Sequence, residues 1–80
     1  MPTIFRDDGY RFFFYSDEGN PRELPHIHVR KGADEAKFWL QPDVTLAYNE
    51  GFDARTLNHL QRLVERQRSD FERAWHEHFA

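Results

Sequence analysis

Pro25-His26-Ile27-His28-Val29-Arg30-Lys31 decides how this chain is read. Run as a strand, its side chains alternate faces. His26, His28 and Arg30 then share one face, and Ile27 and Val29 share the other. The two aliphatics mark the side that meets a core. Two imidazoles and a guanidinium mark the side that carries chemistry, because such a row can transfer protons, hold a metal ion or bind a phosphate. Both rings are expected to project together into solvent from an extended backbone.

The segments on either side are also β-prone. Upstream, Thr3 to Arg6 is a short run, Asp7-Asp8-Gly9 supplies turn residues, and Tyr10 to Tyr15 follows. In that segment Phe12 and Phe14 fall on one face and Phe13 and Tyr15 on the other, which suits a central strand or one covered by a helix. Ser16 to Pro25 contains Asp17, Gly19, Asn20, Pro21 and Pro25. It reads as a loop of about ten residues, longer than the common connection and of a kind that often carries function. Downstream, Gly32-Ala33-Asp34 forms a hairpin turn. Glu35 to Leu40 is a fourth strand with Ala36, Phe38 and Leu40 on one face and Lys37 and Trp39 on the other. Pro42 and Asp43 break it. Val44 to Ala47 reads as a short fifth strand at a sheet edge, and Tyr48-Asn49-Glu50-Gly51-Phe52 as a connector.

Asp53 is a suitable helix N-cap. Beyond it Leu57, Leu60, Val64, Phe71, Trp75 and Phe79 recur at steps of three and four, with Gln67 filling one slot, which predicts helix to the C-terminus. A helix from Asp53 to His78 would be about 39 Å long. Ser69-Asp70-Phe71-Glu72 resembles a capping box where a second helix can begin. The unbroken phase favours one long or kinked helix over two separated ones. The resulting fold class is α+β: an antiparallel sheet of four to five strands over residues 3–47, packed against a C-terminal helix over 53–78. The aromatic end of the helix, Phe71, Trp75 and Phe79, is expected to overhang so small a sheet and to offer a surface for a partner or a homodimer.

Eighty residues allow one domain with a small core. Eight Phe, three Tyr and two Trp supply the burial that such a core needs. The net charge of −3 is the opposite of the strongly basic balance of a dedicated nucleic-acid binder. The one local basic stretch runs from Arg22 to Lys31. With no cysteine, disulfides and thiolate metal sites are excluded. No apolar run is long enough to span a bilayer. The N-terminus lacks the pattern of a signal peptide. A complete, cytoplasmic chain is the expectation.

His26 and His28 sit at a spacing that suits two metal ligands on a strand. Further donors are not dictated by spacing, because His76 and His78 lie about 200° apart on a helix and Arg30 opposes a bound cation. No metal and no cofactor is assigned. The same residues suit metal-free phosphodiester chemistry, with His26 and His28 as general base and acid and Arg30 on the phosphate. Arg22, Lys31, Lys37 and Trp39 are candidate binding residues around them, with Trp39 or Tyr48 as a stacking surface for RNA. The structural alternative leaves both histidines as strand residues satisfied by loop backbone. His76-Glu77-His78 reads as helix C-terminus chemistry, where cationic histidine is favoured by the macrodipole.

Met-Pro-Thr-Ile-Phe-Arg at the start, Gly-Tyr-Arg-Phe-Phe-Phe-Tyr-Ser, Pro-His-Ile-His-Val-Arg, Ala-Lys-Phe-Trp-Leu, Glu-Gly-Phe and Ala-Trp-His-Glu-His-Phe, in that order, resemble the small bacterial family of domain of unknown function 4160. Leu24 stands where the family more often has a second proline before Pro25. The resemblance implies a neighbouring small protein of the domain of unknown function 2442 type and a toxin–antitoxin-like pairing. It carries no established catalytic residues. The functional expectation is therefore a partner-binding component of such a module, a toxin acting on RNA through His26, His28 and Arg30. The alternative is a non-enzymatic antitoxin or regulator.

Overall fold

The computed structural model describes residues 3–15 and 23–79. Five strands come first: β1 (Thr3–Asp7), β2 (Tyr10–Phe13), β3 (His26–Lys31), β4 (Asp34–Trp39) and β5 (Thr45–Glu50). They are followed by two helices, α1 (Ala54–Arg66) and α2 (Arg68–His78). The strands form one antiparallel sheet in the order β1-β2-β3-β4-β5, each paired with its neighbours in sequence. The architecture is the expected α+β sheet of five strands packed against C-terminal helix.

Register explains which residues enter the core. Phe12 pairs with Val29, Val29 with Ala36, and Ile27 with Phe38. These side chains share the face on which the helices lie. They are buried with Phe14, Leu40, Leu60, Leu63, Val64, Phe71 and Trp75. Ring packing dominates. Phe12 stacks on Phe71 at 5.5 Å, Phe5 meets the same ring at 6.0 Å, and Phe14 meets Trp75 edge-on at 5.3 Å. An aromatic side chain buries roughly 150–250 Å², so these few rings do the work of a larger aliphatic core.

The overhang expected of Phe71, Trp75 and Phe79 is therefore absent. Phe71 and Trp75 are buried within the chain, and Phe79 packs against the same cluster. The helix kinks after Arg66, and the kink lays its aromatic end against β1, β2 and β3 instead of past the sheet.

That break is a kink at one residue. Gln67 has φ −97° and ψ 9°, and its N–H still reaches Leu63 O and Glu65 O. α2 starts at Arg68 without a side-chain cap, so the capping box read at Ser69 is not used. Instead, α2 is tied to the loop after β4. Arg68 donates to Pro42 O at 2.8 Å and to Glu72 at 3.0 Å, and Gln41 donates to Glu72 at 2.7 Å. α1 is capped as expected, with Thr56 N–H donating to Asp53 at 2.8 Å.

β5 differs from its sequence reading. It extends to Glu50, so Tyr48 and Asn49 belong to a strand rather than a connector. The Asn49 side chain then brackets the turn into α1, donating to Phe52 O and accepting from Phe52 N–H. Gly51, at φ +108°, completes the turn; a Cβ there would collide with the Asp34 carboxylate.

Candidate functional site

The face of the sheet away from the helices carries the chemistry. Register places Phe13, His28, Lys37 and Tyr48 in one cross-strand row, and Arg11, Arg30, Glu35 and Glu50 in the next. His26 lies one step further along β3, opposite Trp39. The alternation read from Pro25 to Lys31 places both imidazoles on the same side, with ring centroids 5.2 Å apart.

They do not face solvent. His26 is 0% exposed and His28 2%. Rings close over them: His28 stacks on Phe13 at 5.5 Å and meets Tyr15 edge-on at 4.6 Å. His26 sits between Trp39 at 5.5 Å and Trp75 at 4.7 Å, where α2 reaches the end of the strand. The expected solvent-facing pair is corrected to an enclosed one. Alternation fixes the face of a side chain but not what packs above it.

A hydrogen-bonded network holds this cluster. Tyr48 donates to Glu35 Oε2 at 2.6 Å, and Tyr15 donates to Glu35 Oε1 at 2.9 Å. With its single proton committed to the carboxylate, the Tyr48 oxygen accepts from His28 Nδ1–H at 3.1 Å. His28 Nδ1 also lies 3.7 Å from Glu35. His26 Nδ1 donates to Leu24 O at 2.9 Å. Loss of solvent, followed by the adjacent Glu35 carboxylate, pushes the Tyr48 hydroxyl well above its ordinary 10.0. The phenol stays protonated and fixes which atom donates to which.

The cations surround this cluster. Lys37 pairs with Glu23 at 3.2 Å and lies over the Trp39 ring at 4.3 Å. Trp39 thus holds a lysine on its face. The Arg30 side chain is 44% exposed and lies 3.7 Å from Glu35; its Nε donates to Gly32 O. Lys31 lies on the opposite side of the strand end and donates to Asp8 O. Arg22 lies outside the described residues. Among the described residues no three His, Asp or Glu side chains converge as metal ligands, and no helix is long and apolar enough to cross a membrane.

The sequence reading missed three residues of this face: Arg11, Tyr15 and Glu35. Arg11 and Glu35 become visible only through cross-strand register, and Tyr15 through its hydrogen bond to Glu35. Arg11 is opposite Arg30, and Glu35 meets Tyr48 across a β4–β5 pairing that contains an irregularity after Lys37.

The molecule is an α+β domain whose strand meander encloses an imidazole–hydroxyl–carboxylate cluster on the face away from its helices. The chain belongs to the family described as Domain of unknown function (DUF4160), whose model matches residues 9–76. That span takes in the whole cluster. No curated protein and no solved structure matches the chain.

Proposed function

We propose that this protein is a non-catalytic binding module, the partner-binding member of a small bacterial two-gene system. Its partner is a small protein encoded nearby, of the domain of unknown function 2442 type. The observation that carries this reading is the open edge of the sheet. β5 is the last strand in the order, five of its six residues are exposed, and Leu46 is a large apolar side chain in contact with solvent. An unprotected strand edge is a template for an added strand from another chain.

A ribonuclease built on His26 and His28 is the second reading, and the enclosure of both rings weighs against it. A general base must come within hydrogen-bond reach of the proton it takes. Here both Nδ1 atoms are engaged by Leu24 O and Tyr48, and aromatic rings cover the faces.

Co-expression with the neighbouring protein tests the proposal. The expected result is a stable complex by size exclusion with light scattering, lost on Leu46→Lys, which leaves the circular dichroism of the free chain unchanged. Cleavage of RNA by the purified chain, abolished in a folded His28→Gln variant, would overturn it in favour of the enzyme.

A further inference from the structure

At one end of the sheet the β1–β2 and β3–β4 turns lie side by side. Register there sets Arg6 opposite Arg11, and Arg11 opposite Arg30, on three adjacent strands. Directly opposed side chains share a face with Cβ atoms about 5 Å apart, and like charges so placed repel. Glu35 and Glu50 continue the row on β4 and β5. They leave the arginines largely uncompensated. Only Arg30 approaches one of them, at 3.7 Å, beyond hydrogen-bond length. That carboxylate already accepts from two tyrosines. Arg6 and Arg11 make no ion pair among the described residues.

The cations are also held in place. The Arg11 guanidinium lies 4.9 Å from the Phe13 ring centroid, a contact that fixes its position and consumes none of its N–H donors. Lys31 Nζ lies 4.6 Å from the Tyr10 ring centroid and 3.3 Å from Asp8 O. Gly9, at φ +82°, makes this possible: a Cβ there would come within 3.2 Å of Lys31 Cε. Between these groups is an open cleft of about 290 Å³ lined by Gly9, Arg11, Arg30, Lys31 and Gly32.

We propose that this cleft binds the phosphoryl group of a small phosphorylated molecule. Arg11 and Arg30 grip its oxygens; Lys31, held across the strand end by Asp8 O and the Tyr10 ring, adds positive potential at the rim rather than a direct contact. Planar guanidinium forks match phosphate oxygens two at a time, with charge-assisted hydrogen bonds that are about twice as strong as neutral ones. A phosphoryl dianion also relieves the repulsion along the arginine row. A carboxylate brings one charge and two oxygens to the same place, and so relieves less of it. The cleft's volume lies at the lower end of small-molecule sites. No aromatic side chain lines it, so it lacks the platform on which single-stranded nucleic acid stacks its bases.

The test is a titration of the full isotope-labelled chain with inorganic pyrophosphate, followed at the amide resonances of Gly9 and Gly32. Saturable shifts at both are expected. Arg11→Gln and Arg30→Gln should each weaken binding at least tenfold, and Arg62→Gln on α1 should leave it unchanged. Arg11→Gln removes a like charge, so its melting temperature is expected to hold; Arg30 is exposed enough that its variant folds in any case. Parallel titrations use a short oligouridylate and an aspartate-rich peptide. Tighter binding of the oligouridylate, lost in the same variants, would move the site to a polynucleotide and overturn the small-molecule assignment. Equal shifts with the peptide, or pyrophosphate binding that survives both arginine variants, would overturn phosphoryl recognition. The isolated chain suffices, so the result is independent of any partner docked on β5.

Discussion

Ile27 and Val29 on one side of β3, and His26 and His28 on the other, are buried to the same degree. What surrounds them differs. The aliphatics meet Phe38, Ala36 and the helix side chains, an environment of dispersion and apolar contact. The imidazoles meet Phe13, Tyr15, Trp39 and Tyr48, and the two tyrosine hydroxyls among these donate to Glu35. One face excludes water because nothing on it needs water. The other excludes water only while every donor on it finds an acceptor. Burial alone therefore does not distinguish a core from a site. The two faces should separate in how mutations and pH affect them.

The largest effect is expected on the helix face. Phe12→Ala removes a ring stacked on Phe71 and close to Phe5, at a cost of about 3–5 kcal/mol. A domain of this size has a stability of only about 4–12 kcal/mol at 0.05–0.15 kcal/mol per residue. Urea denaturation should show the midpoint collapse. A loss below that of a surface substitution would mean that the helices are not what stabilises the sheet.

On the opposite face Tyr48→Phe keeps the ring and removes the oxygen that joins Glu35 to His28. The expected cost is about 1–2 kcal/mol, that of leaving partly buried partners short of a hydrogen bond. Equal losses from Phe12→Ala and Tyr48→Phe would erase the distinction between the faces.

A smaller effect appears in alkali. The folded state holds the Tyr48 hydroxyl protonated above the unfolded value of 10.0. The stability this provides is fully present below pH 10 and is lost as pH rises through the folded value. Melting temperature against pH should fall more steeply above 10 in the wild type than in Tyr48→Phe, and tyrosinate absorbance should show one hydroxyl titrating late.

The smallest effect belongs to the helix that covers the apolar face. Hydrogen bonds from Thr56, side chain first and backbone second, lower the Asp53 carboxyl from 3.8. Its contribution is present above that value and fades as pH falls through the depressed folded one. Asp53→Ala should lower the melting temperature at neutral pH and make it less sensitive to acid.

Much of the apolar face was legible in the sequence. Alternation in Tyr10–Tyr15, His26–Lys31 and Glu35–Leu40 fixes which residues point the same way, and the Asp53 cap starts α1 where it was expected. Local pattern cannot see what lies across a strand pair. From sequence Tyr48 reads as connector, because Asn49, Glu50 and Gly51 follow it, yet pairing with Lys37 on β4 keeps it in the sheet. Leu63, three residues after Leu60, fits the helical spacing although the stripe reads through Val64, and it is buried beside that residue. The turn at Gln67 answers to Pro42, far away in the chain, through Arg68. The enclosure of His26 depends on Trp75, a residue of α2 that no reading of β3 alone can supply.

The strand meander joins neighbours, but α2 closes the interior by setting Phe71 against Phe5 and Phe12. Synthesis delivers the β hairpins one after another, each able to zip without waiting for distant chain. Their oily side nevertheless stays uncovered until the second helix has emerged. A nascent chain of this protein thus passes through a stage that is ordered along its backbone and adhesive on one surface, when exposed apolar surface makes it most prone to associate.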